Sequence, residues 1–235
     1  WSRPDGKYGR VHHWILHNEV DAGRVWTNAG NPPDTVFMDL YQRSLRLMGL
    51  IAATHDPHSR PFISLTHHWA KPGEPGFYGS KRLLDLLVAS CRAEGDFNWA
   101  LAYHPYPQDL FNPRTWEDSH ATFSFQTDKI TPRNIEVLDA HMKQPALLYQ
   151  GKPRPVHLSE NGFNSKDYTP IRLEEQAAGM AYAWKKIRNL STIRVWHYHN
   201  WVDHREEGGL RIGLRKFPDD QDAPLGRKPI WHLYQ

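Results

Sequence analysis

The chain has 235 residues, of which 39% are hydrophobic and 23% charged, the balance of an ordinary globular protein. Its 29 Lys and Arg residues against 26 Asp and Glu give a formal charge of +3, and the basic residues are scattered rather than clustered. A nucleic-acid binder normally carries a basic face, and a membrane-spanning helix needs roughly 18 apolar residues in a row. Because neither feature is found, we expect no nucleic-acid and no membrane partner.

Apolar runs typical of β-strands alternate with helical patterns along the chain. The predicted strands cover residues 11–17, 61–66, 98–103, 155–159 and 192–199. Predicted helices follow the first four strands, over about residues 36–54, 80–94, 132–143 and 172–189. No interdomain linker interrupts this pattern, so we treat residues 1–235 as a single catalytic domain. The alternation predicts a parallel sheet covered by helices.

Two architectures fit this alternation, a doubly wound open sheet and a (β/α)8 barrel. No Gly-x-Gly-x-x-Gly or Walker-type loop follows any predicted strand, so a nucleotide-binding sheet loses its usual support. Polar residues gather instead where strands end, among them Asn18, His68, His104, Glu160 and Asn200. Functional residues of barrels collect at that rim. We therefore predict an α/β protein of the (β/α)8 barrel type, with only about five βα units in this chain.

Glu19 and Glu160 each follow an apolar strand and each stands beside an asparagine. Retaining cleavage of a glycosidic bond needs two carboxyl groups facing each other across the anomeric carbon, one as acid/base and one as nucleophile. A single glutamate after a strand is usually a solvated loop residue, but two at strand ends of one sheet favour a catalytic pair. The 10 Trp and 10 Tyr residues add flat amphipathic surfaces that suit sugar rings.

Both glutamates lie in segments that resemble a known group of enzymes. Residues 14–19, WILHNE, resemble the fourth strand of clan A glycoside hydrolases, where an Asn-Glu pair supplies the acid/base. Residues 157–162, HLSENG, resemble the seventh strand, where a Glu is the nucleophile. The resemblance implies that Glu19 is the acid/base, that Glu160 is the nucleophile and that Asn18 donates a hydrogen bond to the sugar 2-hydroxyl.

The same resemblance makes the five units strands four to eight of the barrel. His104-x-Tyr106 then resembles the His-x-Tyr of strand six, and Trp201 resembles the aromatic platform under the bound sugar. Strands one to three, with the arginine usual in strand two, are absent. We expect a complementary N-terminal barrel segment to supply them, either upstream on the same polypeptide or as a second chain. The chain opens at Trp1 rather than Met, as expected if a preceding segment has been lost.

Further residues at strand ends are candidate substrate contacts. Strand alternation sends His67 and His68 to opposite faces, so at most one is expected to enter the site, and we favour His68 together with Trp69. Asn161, next to the predicted nucleophile, and His199, in the last predicted strand, complete the predicted substrate-binding residues.

Three other side chains are predicted to have structural roles. Asp21, two residues after Glu19, is expected to organise its loop, and Glu207 is expected to be a solvated loop residue. Cys91 lies in an apolar helical pattern, which predicts a buried, inert thiol. One cysteine does not decide the cellular compartment.

The sequence therefore predicts a retaining glycoside hydrolase that cleaves an oligosaccharide or polysaccharide, with no cofactor and no metal. One alternative is a metal-dependent barrel hydrolase, because His197 and His199 share a face of the last predicted strand. The other is a non-catalytic carbohydrate-binding barrel. Stoichiometric metal in purified protein would favour the first alternative, and sugar binding without turnover would favour the second.

Overall fold

The computed structural model describes residues 5–235; residues 1–4, including Trp1, lie outside the described residues. The strands of the described part are β1 (His13–Leu16), β2 (Arg60–Thr66), β3 (Ala100–His104), β4 (Val156–Leu158) and β5 (Ile193–Trp196). Its α-helices are α1 (Gly23–Trp26), α2 (Asp34–His55), α3 (Ser80–Glu94), α4 (Glu136–Met142), α5 (Pro170–Ile187) and α6 (Pro229–Tyr234). In this part of the chain, no helix combines the length and apolar character needed to cross a bilayer.

The strands form one parallel sheet in the order β1-β2-β3-β4-β5. Ile15 pairs with Phe62 and Leu101 with Val156 across neighbouring strands. β2 and β3 are buried along nearly their whole length, as is typical of parallel strands covered on both faces. Because all five strands run in one direction, their C-terminal ends lie at the same edge of the sheet. The predicted parallel sheet with alternating helices is confirmed.

Helices cover one face of the sheet with apolar stripes at helical spacing. α3 buries Leu83, Leu84, Leu87 and Cys91 in the same core cluster as the strand residues Ile63, Leu65 and Leu101. The predicted buried thiol is confirmed, and burial raises the pKa of Cys91 to about 11. The other face of the sheet carries a separate small cluster of Phe62, Ala100 and Ala102.

Some element boundaries differ from the predictions. α3 has the predicted bounds, whereas β1 has four residues instead of seven. The predicted helix 132–143 divides into a 3-10 turn, Pro132–Asn134, and α4. Thr131 caps the turn, because its side chain accepts a hydrogen bond from the Arg133 N–H while its own N–H donates to Asn134. α6 was not predicted, although a proline occupies its first position.

In the described part of the chain, the outer side of β1 carries an apolar groove that no other segment covers. Among the described strands, β1 pairs only with β2, and β5 only with β4. A cavity of about 550 Å³ lies along α2, and we call it the α2 groove; its apolar walls include Trp14, Leu47, Met48 and Ile51. Exposed apolar surface of this kind is typical of interaction sites.

Candidate active site

Glu19 and Glu160 come from strands that are separated in the sheet by β2 and β3. Glu160 lies two residues beyond β4, and Glu19 lies three residues beyond β1. Glu19 has a left-handed backbone, with φ of 40°, a conformation that is rare outside glycine and recurs at functional sites. Its N–H donates to Ser64 Oγ of β2 at 3.1 Å, which ties the turn to the sheet. A carboxylate oxygen of Glu19 lies within 4.8 Å of one of Glu160.

His104, the last residue of β3, bridges the two carboxylates. Its Nδ1 is 2.9 Å from Glu19 Oε1 and 3.7 Å from Glu160 Oε2. Its Nε2 is 3.1 Å from Ser159 Oγ. When Glu19 is ionised it can only accept, so Nδ1 of a neutral His104 then donates to it and Nε2 accepts from the serine hydroxyl. His104 is buried, and these contacts hold its ring in one orientation between the two acids.

Tyr106 holds the second carboxylate from the same strand end. Its hydroxyl donates to Glu160 Oε1 at 2.8 Å. Burial, and then the nearby charge of Glu160, raises the pKa of Tyr106 well above its usual range. The phenol therefore stays protonated and remains a donor at neutral pH. This bond occupies one oxygen of Glu160 and leaves the other facing His104.

Glu19, Tyr106 and Glu160 line a cavity of about 320 Å³, a volume within the range typical of small-molecule sites. Both His67 and His68 line it, so the expectation that at most one of them enters the site is wrong. β2 ends at Thr66, and strand alternation therefore does not apply to the two histidines. Burial lowers the pKa of His68 to about 4 and that of His67 well below its usual value. Both rings are neutral at pH 7 and offer one donor and one acceptor each.

Trp69 does not reach this cavity, which corrects its predicted role as a substrate contact. Its side chain is fully buried in the core, where the ring lies edge-on to Tyr103 and His141. The indole N–H donates to the Phe125 carbonyl at 3.0 Å. Its backbone N–H donates to the Asp128 carbonyl. After β2 the chain turns toward this neighbouring loop, so Trp69 becomes a packing residue.

Four predicted contacts lie near the strand ends but are not among the residues that line the cavity: Asn18, Asn161, His199 and Trp201. Asn18 is exposed. Asn161 is buried, and its amide donates to the His197 carbonyl at 3.1 Å. Trp201 is exposed and packs edge-on against Trp231. The structure thus brings Glu19, Glu160, His104, Tyr106 and His68 together, while these four stay at the periphery.

Glu207 was expected to be solvated, but it lies in the cavity wall. Its carboxylate is 3.4 Å from His199 Nε2, which gives that histidine an indirect connection to the site. The cavity also has an apolar rim that sequence reasoning missed, formed by Ala22, Trp26, Phe77, Leu110, Leu210 and Ile212. The apolar and aromatic residues in the loops that follow the strand ends could have predicted this rim.

Asp21 is tied into the sheet rather than exposed in its loop. Its carboxylate is buried and accepts hydrogen bonds from the Thr66 N–H, the Thr66 hydroxyl and the Ser80 hydroxyl. Ser80 is the first residue of α3. Asp21 therefore joins the turn that carries Glu19 to the end of β2 and the start of α3. The expectation that it organises the loop agrees with these contacts.

The stability of the fold is expected to depend on the protonation of Asp21. Burial raises the pKa of Asp21 from 3.8 to about 6, so the folded chain holds this proton more tightly than the unfolded chain. The resulting stabilisation is complete below about pH 4 and is lost as the pH rises through 6, a change of about 3 kcal/mol. Asp21→Asn stays neutral, and its free energy of unfolding should fall less between pH 4 and 7.

Urea unfolding of both proteins at pH 4, 5, 6 and 7 measures this difference. Asp222→Asn, a change at an exposed aspartate, is the matched control and should retain the wild-type pH dependence. An unchanged pH dependence in Asp21→Asn would mean that Asp21 is ionised throughout this range.

The metal alternative depends on the same cluster. Among residues 5–235, the side chains able to offer three metal-ligand atoms within reach of one another are Glu19, His104 and Glu160. His197 is exposed and follows the end of β5 at Trp196, so the expected pair of imidazoles on one strand face does not form.

Solved structures that are similar to this chain include glycoside hydrolases. One is a family 39 glycoside hydrolase from Xanthomonas axonopodis pv. citri, with 18% identity and a TM-score of 0.54 over 94% of this chain and 39% of that one. Another is a family 1 β-glucosidase from Thermotoga maritima bound to isofagomine lactam, with 17% identity and a TM-score of 0.51 over 96% of this chain and 63% of that one. The chain spans less than two thirds of either enzyme.

These similarities identify the fold as part of a (β/α) barrel like that of clan A glycoside hydrolases. The predicted fold class is thereby confirmed, and five of the eight βα units are present in the described residues. No curated protein sequence matches the chain. The model of the family of unknown function DUF5722 matches residues 1–235, and the chain belongs to that family.

Proposed function

We propose that this chain carries the catalytic part of a retaining glycoside hydrolase that cleaves O-glycosidic bonds of an oligosaccharide or polysaccharide. The observation that carries the proposal is the approach of the Glu19 and Glu160 carboxylates to within 4.8 Å. Retaining enzymes hold their two carboxyl groups about 5–5.5 Å apart, whereas inverting enzymes leave about 6.5–9.5 Å for a water molecule. The short separation supports double displacement.

The two carboxylates have different surroundings, which suits different roles. Tyr106 donates to Oε1 of Glu160, and this bond helps to keep Glu160 oriented. Oε2 is then the oxygen available for attack. Glu19 is the more buried of the two, with 15% of its side chain exposed against 31% for Glu160. The His104 N–H faces Glu19, so His104 is suited to position the acid/base.

In the first step, Glu160 Oε2 forms a bond to the anomeric carbon while the bond from that carbon to the leaving oxygen breaks. Glu19 transfers its proton to the leaving oxygen. In the second step, ionised Glu19 takes a proton from water, and the resulting nucleophile attacks the anomeric carbon. The bond to Glu160 breaks, the carboxylate is restored, and Glu19 is again protonated. Two displacements retain the configuration of the sugar, and no cofactor takes part.

The cavity walls support a carbohydrate substrate. Trp26 and Phe77 supply flat faces for a sugar ring, while His68 and Glu207 supply polar groups for its hydroxyls. The similar solved structures include a β-glucosidase. Aryl and oligosaccharide glycosides of both anomeric configurations are the substrates with which to begin.

A complementary barrel segment is part of the proposal. The free edges of β1 and β5 and the apolar α2 groove need covering structure, and three further βα units would close the sheet. This segment belongs either to the same polypeptide or to a second chain. Activity is therefore best measured on the protein together with this complementary segment.

Glu19→Ala is expected to affect substrates according to their leaving groups. The dinitrophenolate of a dinitrophenyl glycoside leaves without much protonation, whereas an alkoxide or sugar leaving group needs the proton of Glu19. The loss in kcat/KM should be about 10²–10⁴-fold larger for the second kind of substrate.

Hydrolysis rates of a graded series of aryl glycosides, plotted against the pKa of the leaving phenol, measure this dependence. Glu207→Ala changes another glutamate of the same cavity and serves as the matched control, with similar losses across the series. Equal losses for activated and unactivated substrates in Glu19→Ala would exclude the acid role.

A metal-dependent hydrolase is the second candidate, and the grouping of Glu19, His104 and Glu160 supports it. One imidazole and two carboxylates form a donor set that Zn²⁺ and Mn²⁺ accept. Metal analysis of the purified protein separates the two candidates: stoichiometric metal, with activity lost on chelation, favours this one.

A further inference from the structure

A second polar cavity, of about 500 Å³, lies at the opposite end of the sheet from Glu19 and Glu160. Its walls come from the beginnings of the strands: His13 starts β1, Arg60 starts β2, and Arg194 is the second residue of β5. The loop 149–155 before β4 closes another side. Because the strands are parallel, these residues share the edge remote from the candidate active site. We call it the basal cavity.

Cations outnumber anions in the basal cavity. Arg60, Lys152, Arg154 and Arg194 all line it. Arg154 is fully used in the fold, since it donates to both oxygens of Asp96 at 2.6–2.7 Å and to three backbone carbonyls. For the other three cations, no carboxylate of residues 5–235 comes within ion-pair distance.

The Arg60 side chain also contains a hydrogen-bond donor that has no acceptor among the described residues. Its Nε is buried and has no hydrogen-bond partner among the described residues. A buried donor without an acceptor costs about 1–3 kcal/mol, so it favours the binding of an acceptor from outside the described residues.

His13 and His157 lie in the floor of the basal cavity. The rings of His13, Phe62 and His157 pack together with centroids 4.5–5.2 Å apart. Burial, and then the charges of His13, His197 and Arg60 in that order, lower the pKa of His157 to about 4. Burial and then Arg60 also lower the pKa of His13. Both rings are neutral at pH 7 and can donate an N–H to a ligand.

We propose that the basal cavity binds a small molecule through a tetrahedral dianionic group, phosphate or sulfate. The three cations without partners carry a charge of +3, which is more than one carboxylate can neutralise. A tetrahedral dianion carries more negative charge and offers several acceptor oxygens to the guanidinium groups at once. Inorganic phosphate fills only part of the volume, which leaves room for an attached organic group. This site does not depend on the proposed hydrolase activity.

Titration calorimetry at low ionic strength with inorganic phosphate, sulfate and acetate tests the proposal. We expect saturable binding of phosphate and sulfate, with acetate at least tenfold weaker. Tighter binding of phosphate would indicate a phosphorylated ligand, and tighter binding of sulfate a sulfated one. Arg60→Gln and Arg194→Gln should each weaken binding at least tenfold. Arg92→Gln, a change at an exposed arginine of α3, should stay within twofold of wild type.

A second readout follows the buried imidazole. NMR titration of His157 should reveal a pKa that rises when phosphate is added, because the dianion favours the charged ring. The rise should be absent in Arg194→Gln, which changes an exposed side chain and is expected to fold normally. Absence of saturable binding to wild type, or equal affinities in Arg194→Gln and Arg92→Gln, would overturn the proposal.

Discussion

Glu160→Ala is expected to reduce turnover by on the order of 10⁴- to 10⁶-fold, the range observed when a covalent nucleophile is removed. Added azide or formate should restore part of the activity, because the small anion enters the space left by the carboxylate. Attack from that side gives a product of inverted configuration. The rate at increasing azide concentration and the NMR spectrum of the product measure both effects.

Glu160→Gln is the matched variant for this experiment. It also lacks a nucleophilic carboxylate, but its side chain fills the space that azide needs, so turnover should fall equally without rescue. Glu207→Ala opens space elsewhere in the cavity wall and should give no azide product. Rescue in Glu207→Ala but not in Glu160→Ala would transfer the nucleophile role to Glu207.

The alternation of strands and helices was predictable because each element carries a local signal. β2 and β3 are continuous apolar runs, and α3 repeats Leu83, Leu87 and Cys91 at the spacing of one buried face. The strand ends were predictable for the same reason, since each apolar run stops where the polar residues begin. Glu19, His104 and Glu160 could therefore be assigned to one edge of the sheet before any coordinates were known.

The course of the loops was not predictable, because long-range contacts decide it. Trp69 and His68 are adjacent in sequence, yet Trp69 enters the core through its contacts with the loop 125–128 while His68 lines the cavity. Glu207 follows β5 by eleven residues in an irregular segment. Sequence periodicity does not predict the position of a residue in an irregular segment. The predicted aromatic platform, Trp201, packs on Trp231 of the helix α6 that the sequence pattern did not reveal.

The candidate site lies partly on a strand that forms an edge of the described sheet. The two carboxylates lie in the turns that follow β1 and β4, so one of the proposed catalytic groups follows a strand at the edge of the described sheet. An edge strand with one neighbour holds its turn less firmly than a strand paired on both sides. Full activity is therefore expected to need the complementary segment beside β1, even though both glutamates are already in this chain.

Residues 1–235 expressed alone are expected to self-associate through the α2 groove. Leu47 is 58% exposed there, beside Ile51 and Trp14. Covering roughly 300 Å² of apolar surface contributes about 8 kcal/mol, comparable with the whole net stability of a domain, about 5–15 kcal/mol. Leu47→Lys places a charge in this surface and should shift the protein toward monomer. Leu233→Lys changes a similarly exposed leucine, 54%, on α6 and should leave the mass distribution unchanged.

Sedimentation velocity measures the mass of each variant, and amide exchange measures the protection of the two edge strands. In residues 1–235 alone, the free edges of β1 and β5 should exchange quickly, and three βα units supplied upstream or as a second chain should slow that exchange, because their backbone groups pair with both edges. Leu47→Lys should then weaken assembly with that complement, while Leu233→Lys should not. A monomer with both edge strands protected and a sharp cooperative unfolding transition would mean that the five-stranded fold closes by itself. The assignment of β1 to β5 as strands four to eight of a barrel would then be wrong.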